Sequence, residues 1–147
     1  MSVKYFRSLR EEEKNCTDIG IFPGADDSLG DYLESLGKSE KYDVELALPG
    51  HRQTGNYQDR LKELKNHHAN RLNEVKGLIE EYPLSTAYEI ASRMKWRIKA
   101  ESWEEFPTTQ KWFAMGEALS HVRHLVKLSA IERIEREDGK FVYRKKI

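Results

Sequence analysis

A histidine that directly follows an apolar run and a tight turn is the feature of this sequence most suited to chemistry. Residues 44–48 (VELAL) predict a largely buried strand, and Pro49 and Gly50 force the chain to turn before His51. A strand end holds a side chain at the rim of a sheet, where ligands and catalytic groups collect. On the tripeptide alone, a turn histidine without a role is the more frequent case.

The other histidines do not form a recognisable metal site in the sequence. Adjacent residues on a helix point about 100° apart, so His67 and His68 cannot comfortably share one ion. His121 and His124 have a spacing that could chelate, but Glu117 is the one acidic or sulfur-bearing residue near them, so we expect surface histidines. No serine nucleophile elbow, Walker loop, dinucleotide glycine motif or zinc knuckle occurs. The sequence therefore shows no complete catalytic constellation.

The composition is that of a compact chain with balanced charge. Its 147 residues carry 25 Lys and Arg against 25 Asp and Glu, which excludes the positive field that drives non-specific nucleic-acid binding. Although 34% of the residues are charged, the apolar positions are periodic, so we expect solvated helix faces rather than disorder. No apolar run approaches the roughly 20 residues that span a bilayer. Without a signal-peptide pattern, and with Cys16 as the single cysteine, we expect a cytoplasmic protein with no membrane partner.

Charge and composition divide the chain near Gly55. Residues 1–55 hold 7 Lys and Arg against 11 Asp and Glu, a net charge of −4, whereas residues 56–147 hold 18 against 14, a net charge of +4. Glycine and turn signals concentrate before residue 56, and long helical patterns follow it. We therefore predict one piece over residues 1–55 and a second over residues 56–147.

Short elements are predicted in the first piece. The alternation of residues 17–22 predicts a strand closed by a Pro-Gly turn. Asp27 or Ser28 is suited to cap a helix over residues 29–36, which Gly37 would end.

The second piece begins with two predicted helices. Asn56 is suited to cap a long helix that ends near Tyr82, and its apolar stripe includes His68. Ser85 is expected to cap a shorter helix that ends at Met94.

A third helix and a hairpin complete the second piece. Thr108 or Thr109 is expected to cap the helix, with Trp112 on its inward face. An Asp-Gly turn joins the alternating runs 131–136 and 141–144, which predicts a β-hairpin. Three helices followed by a two-stranded hairpin is the order of a winged helix-turn-helix domain.

The charges of this predicted domain argue against DNA as its ligand. In a DNA-binding member the third helix would offer Arg, Lys, Asn or Gln to base edges, and the hairpin would offer cations to phosphates. Here the polar face of the helix carries Glu117 and the two histidines, and the hairpin alternates acids with bases. We therefore expect an accessory or protein–protein module. The candidates for contact with nucleic acid are five scattered cations: Arg123, Lys127, Arg144, Lys145 and Lys146.

Several stretches, taken in order, resemble the metallo-β-lactamase-fold hydrolases. They are GIFPGAD with LGDYLESL within residues 20–36, LALPGH at residues 46–51, and the segment from Arg60 through the two adjacent histidines to Leu72. The remainder resembles the winged-helix domain that follows the catalytic domain in one branch of that superfamily, with FAMGEALSH at residues 113–121 as its third helix. The resemblance covers residues 17–147. It implies an α+β, mostly helical chain: a partial α/β remnant of the metallo-β-lactamase fold, then a winged helix-turn-helix domain.

The resemblance also implies a role for His51. In that family the histidine after Pro-Gly is the last ligand of a site with two metal ions, usually zinc, which activate water for hydrolysis. The other ligands come earlier in the chain, from a His-x-His-x-Asp-His motif, a further histidine and a bridging aspartate. No histidine precedes His51, and Arg52 stands where glycine is more usual. One imidazole cannot hold two zinc ions, so we expect no metal on this chain alone and no activity from it.

The expected partner is therefore an N-terminal metallo-β-lactamase half or a second copy of the chain. Two other hypotheses stay open. One is a stand-alone winged-helix module that binds nucleic acid or protein, and the other is a metalloenzyme assembled across a homodimer from His51 with His121 and His124. The substrate class is not specified by these residues.

Overall fold

A computed structural model describes residues 26–47 and 55–146, which form a mostly helical α+β structure. The elements in chain order are α1 (Ser28–Ser39), α2 (Tyr57–Glu81), β1 (Ser85–Thr86), α3 (Ala87–Arg93), α4 (Thr108–Lys127), β2 (Ile131–Glu135) and β3 (Phe141–Lys145). The predicted strand over residues 17–22 and the turn that carries His51 lie outside the described residues. None of the helices in the described part of the chain combines the length and the apolarity that crossing a membrane requires.

Helix α1 begins as predicted but ends later. The carboxylate of Asp27 accepts a hydrogen bond from the backbone N–H of Gly30, which makes Asp27 the N-cap. Leu29 and Leu36 are buried, as an amphipathic helix requires. The prediction that Gly37 ends the helix is wrong, because the helix continues through this glycine to Ser39.

The predicted strand over residues 44–48 is also wrong for the part that the structure describes. Residues 44–47 form no strand, and the side chain of Leu46 is 68% exposed. A strand needs a second backbone to satisfy its N–H and C=O groups. Among the described residues, no backbone pairs with this segment.

Helix α2 matches its prediction closely. The side chain of Asn56 accepts from the N–H of Asp59 and caps the first turn, and the helix ends one residue before Tyr82. Its 25 residues span roughly 37 Å, at 1.5 Å per residue. Because the helix is so long, its first half contacts α1 and its second half contacts α3 and the sheet.

The N-cap of α3 is Thr86 and not Ser85. The hydroxyl of Thr86 accepts from the N–H of Glu89, and the Glu89 carboxylate accepts from the N–H of Thr86, which completes a capping box. Ser85 instead lies in β1, opposite Tyr143 of β3. This long-range pairing, which the local pattern does not reveal, moves the helix start by one residue.

Helix α4 also begins without the predicted side-chain cap. Its N-cap is Pro107, whose side chain makes no capping hydrogen bond, and Thr108 and Thr109 are already helical. The N–H groups of Gln110 and Lys111 bond to the backbone oxygen of Pro107, so the first turn closes on the backbone alone.

The sheet is antiparallel, with the strand order β1-β3-β2. The predicted hairpin is confirmed, with Ile131 opposite Lys145 and Glu135 opposite Phe141. Its turn places Gly139 at φ +76°, a conformation that favours glycine. β1 adds a short third strand on the other side of β3.

One apolar core joins α2, α3, α4 and the sheet. Its fully buried members include Ile79 of α2, Ile90 of α3, Val122 of α4 and Ile131 of β2. No buried residue of α1 belongs to this core. α1 therefore packs on the outside of α2 and α4, where polar side chains make much of the contact.

Candidate functional site

Arg71 lies at the centre of the most connected polar group among the described residues. Its side chain, 11% exposed, binds the carboxylates of Glu117 on α4 at 2.8 Å and of Glu74 at 2.7 Å. The same guanidinium donates to the backbone oxygen of Lys95 at 2.9 Å and stacks on the ring of Trp96, 4.3 Å from its centroid. One side chain therefore fixes α2 to α4 and to the segment after α3.

Two histidine rings meet beside this group, beneath α1. Nδ1 of His68 lies 3.4 Å from Nε2 of His121, and the ring of Tyr32 from α1 contacts His68 edge to face at 5.4 Å. His121 is 1% exposed, and its Nδ1 lies 2.7 Å from the backbone oxygen of Glu117. Burial lowers the pKa of both histidines, because a charged ring loses its hydration there. Both rings are therefore neutral at pH 7.

The prediction that His121 and His124 lie on the surface is wrong. Nδ1 of His124 lies 3.0 Å from the carboxylate of Asp27, and both side chains are largely buried. Ala114, two turns before the first of these histidines along the same face, is also buried. The face of α4 that is polar by residue type is thus an internal face, which α1 and α2 cover.

Side chains at the start of α2 bind the backbone that follows α1. The hydroxyl of Tyr57 donates to the oxygen of Ser39 at 3.2 Å, and the Gln58 amide donates to the oxygens of Glu40 at 3.3 Å and Tyr42 at 3.2 Å. These bonds hold the chain on its way to the segment that carries His51, which lies outside the described residues.

The five cations predicted as nucleic-acid contacts do not form one positive surface. Lys127 binds Asp26 at 3.2 Å, Arg144 binds Glu132 and Lys145 binds Glu80 at 2.9 Å, so nearby carboxylates offset these charges. Arg123 is half-buried, and Lys146 is exposed.

An open groove of about 470 Å³ lies between α3, α4 and the hairpin. Its walls are mainly apolar, and its rim is charged, with Glu89 already bound to Thr86 and Arg136 to Asp138. The apolar walls are formed by Tyr88, Met115, Leu119, Phe141 and Tyr143.

The described residues do not assemble a catalytic or metal centre. In residues 26–47 and 55–146, no group of three or more His, Cys, Asp or Glu side chains is placed to hold a metal ion. The paired rings of His68 and His121 satisfy each other, and the Glu117 carboxylate is held by Arg71. The chemistry of this polar group is therefore to join helices, and it offers no free nucleophile.

Sequence reasoning missed the polar group as a unit. The available signal was the position of His68 on the apolar stripe of α2, which indicates a ring turned inward. Its partners on α4 are 46 to 53 residues away in the chain, and no local spacing relates them.

Comparisons with known proteins agree with this architecture. Residues 72–146 match the family model described as the metallo-beta-lactamase-like C-terminal domain. The structure is similar to that of a beta-lactamase domain protein from Burkholderia ambifaria, with 34% identity and a TM-score of 0.70, and to a metallo-beta-lactamase family protein from Thermus thermophilus, with 25% identity and a TM-score of 0.62. Each match covers 82% of this chain but 34% of the other, so the chain spans about a third of the length of these structures. Among curated proteins, no relative matches.

Proposed function

Because the chain belongs to the metallo-beta-lactamase-like C-terminal domain family, we propose that it is the C-terminal, non-catalytic portion of a metal-dependent hydrolase of the metallo-β-lactamase superfamily. In this proposal, residues 1–55 are the end of the catalytic fold. Residues 56–147 are a winged-helix domain that shapes substrate access or dimerisation. We retain the cytoplasm as the expected compartment.

One observation carries the proposal. Most of this chain aligns with a solved relative at 34% identity, yet it accounts for about a third of that relative's length. The remaining length is what a separate catalytic fold would need, and our chain has no counterpart for it. The activity of a whole protein of this family is therefore expected to depend on a part that this sequence does not supply.

The order of elements supports a winged-helix assignment for the second piece. Helix α2, strand β1, helices α3 and α4, and the hairpin follow one another, and β1 closes the small sheet against β3. This is a helix-turn-helix core with a β-hairpin after its last helix.

The donor set supports the absence of catalysis by this chain alone. The resemblance assigns His51 as the last ligand of two zinc ions, and the described residues add no cluster that could hold either ion. One imidazole does not fit a binuclear zinc centre, which needs several donors per ion. We therefore route no chemical step through zinc on this chain.

The described contacts favour an accessory module over a nucleic-acid reader. Three of the five candidate cations bind carboxylates, which reduces the positive potential available to phosphates. Meanwhile α1 is fixed to α2 and α4 by polar bonds, which would let the second piece support the end of the catalytic fold. The expected partner is the N-terminal metallo-β-lactamase half or a second copy of the chain.

A chimera tests this function. The N-terminal part of the Burkholderia ambifaria relative, up to the point where the two structures begin to match, is joined to our chain, and the zinc content of the purified protein is measured. We expect about two zinc ions per chimera, fewer in the chimera with His51→Ala, and no loss with the exposed His67→Ala. A chimera whose zinc content is indifferent to His51→Ala would contradict the proposal.

A further inference from the structure

The pair of histidines beneath α1 has a defined arrangement of hydrogens. A backbone oxygen accepts hydrogen bonds and never donates, so Nδ1 of His121, 2.7 Å from the Glu117 oxygen, must carry the hydrogen. In a neutral ring, Nε2 of His121 is then a bare acceptor. Nδ1 of His68, 3.4 Å away, must donate to it. Both rings are therefore neutral with their hydrogen on Nδ1.

This arrangement has no place for a proton on His121. A proton could reach the ring only at Nε2, which already accepts from His68, so that proton would oppose the His68 hydrogen. His68 could take a proton at its own Nε2 and still donate from Nδ1. A second proton on the pair would break the bond between the rings, and the two rings therefore titrate as one unit.

The surroundings also disfavour charge on the pair. On α2 the charged or titratable neighbours are His67 and the Arg71 guanidinium, and on α4 the neighbour is Glu117, whose carboxylate Arg71 already binds. From α1, Tyr32 contacts His68 with its ring. Burial adds the largest effect, and the pKa of each histidine lies below its ordinary value of 6.5.

α1 can move without opening the main core. The core of α2, α3, α4 and the sheet contains no buried residue of α1. The apolar contribution of α1 is limited to Leu29 and Leu36, which are buried outside that core. An element with few core contacts forms a separate, less stable cooperative unit.

The first turn of α1 has a contact with the opposite response to acid. The Asp27 carboxylate accepts from Nδ1 of His124 at 3.0 Å, and a proton on the other nitrogen of His124 would turn this hydrogen bond into an ion pair. Lys127 also binds the adjacent Asp26 at 3.2 Å. Acid therefore strengthens the attachment at the start of α1 while it weakens the attachment through His68.

We propose that the His68–His121 pair is an acid-sensitive joint: as the pH falls from 7 toward 5, the pair takes up protons and α1 detaches from α2 beyond its first turn, which Asp27 and His124 continue to hold. The helix thus swings out about a fixed end, while the main core stays closed. The attachment through the pair is complete above pH 6.5, where the rings are neutral in the open form too. It is lost progressively as the pH falls from there toward the lowered value of the closed form.

Amide hydrogen exchange, measured by NMR at pH 7.5 and 5.5 and corrected for intrinsic rates, tests the joint. We expect the protection of α1 residues 32–39 to fall at least about tenfold at pH 5.5, because each ring that takes up a proton one unit below 6.5 favours the open form by that factor. Protection around Ile90 and Val122 in the main core should not change with it. An equal loss in α1 and the core would overturn the proposal.

Variants separate the two ends of α1. His68→Asn keeps a donor near the position of Nδ1 but cannot take up a proton, so the pH dependence in residues 32–39 should fall by at least half on a logarithmic scale. His67→Gln, at the adjacent exposed ring, should retain it. His124→Gln should allow the first turn of α1 to exchange at pH 5.5 as well. Full pH dependence in His68→Asn would overturn the joint.

The unmodified protein provides a test that does not depend on a variant folding. Nitrogen-15 shifts of the imidazole rings at pH 7.5 report which nitrogen carries the hydrogen. We expect hydrogen on Nδ1 in both His68 and His121, with a coupling across the bond between the rings. Hydrogen on Nε2 of His121 would overturn the arrangement from which the joint is argued.

Discussion

Arg71 of α2 and Glu117 of α4 lie 2.8 Å apart, and their ion pair is sheltered by the ring of Trp96. The same guanidinium holds Glu74 on its own helix and the backbone oxygen of Lys95. A planar group with five donors is required to satisfy these partners together, which a lysine ammonium cannot do in the same geometry. This one side chain therefore joins three parts of the structure.

Replacing this arginine should destabilise the fold strongly. For Arg71→Ala we expect a loss of about 2 to 4 kcal/mol in the free energy of unfolding, because partners of a partly buried ion are left unpaired. Arg71→Lys should lose roughly half as much, since it keeps the charge but not the fork or the stacking. Urea denaturation at pH 7 measures both.

The matched control is Arg60→Ala on the same helix. Arg60 pairs with Glu63 at 3.1 Å with both side chains largely exposed, so we expect a change within about 0.5 kcal/mol. Equal losses at the two arginines would contradict the structural role of Arg71.

The capping box at α3 predicts different effects of the same substitution at two threonines. Thr86→Ala should cost about 1 kcal/mol, because the N–H of Glu89 loses its acceptor. Thr109→Ala should change stability by less than about 0.5 kcal/mol, since Thr109 lies inside α4 and caps nothing. Thermal denaturation of both variants decides between Thr86 and the sequence-based choice of caps.

The same box predicts a dependence on pH. Hydrogen bonds from the backbone N–H and the hydroxyl of Thr86 lower the pKa of Glu89. Its contribution to stability is therefore complete above the ordinary value of 4.5 and is lost as the pH falls through the lowered value. Glu89→Gln should show a smaller loss of stability than the unmodified protein between pH 5 and pH 3. An identical pH profile would rule out this carboxylate as a contributor.

Two glycines should respond in opposite directions to the same change. Gly139 has φ +76° in the hairpin turn, so Gly139→Ala should cost about 1 kcal/mol although no atom lies near the added methyl. Gly77 lies within α2 with open space around it, so Gly77→Ala should stabilise the fold by about 0.5 to 1 kcal/mol. Chemical denaturation measures both. Destabilisation at Gly77 would contradict the regular helix there.

The elements that sequence predicted well are those whose signals are local. Asn56 caps α2 through a bond to a residue three positions later, and the Asp-Gly turn determines the hairpin by its own backbone conformation. These interactions form within a few residues, so the printed order of residues reveals them.

The failures share a non-local cause. Ser85 lost its predicted role because Tyr143, 58 residues later, pairs with it in the sheet. The polar face of α4 is internal because His68 and Asp27, from two other helices, supply partners for His121 and His124. The segment at residues 44–47 has the residues of a strand but pairs with no described backbone. Residue type alone does not report which surface will be covered.

The central claim is that this chain supplies too few donors for a binuclear zinc centre, and a calorimetric titration of zinc into the purified chain at pH 7.5 tests it most directly. We predict no tight stoichiometric binding, and the same weak heat from the unmodified chain and from His51→Ala. Two zinc ions bound per chain with submicromolar Kd, and lost in His51→Ala, would contradict the account.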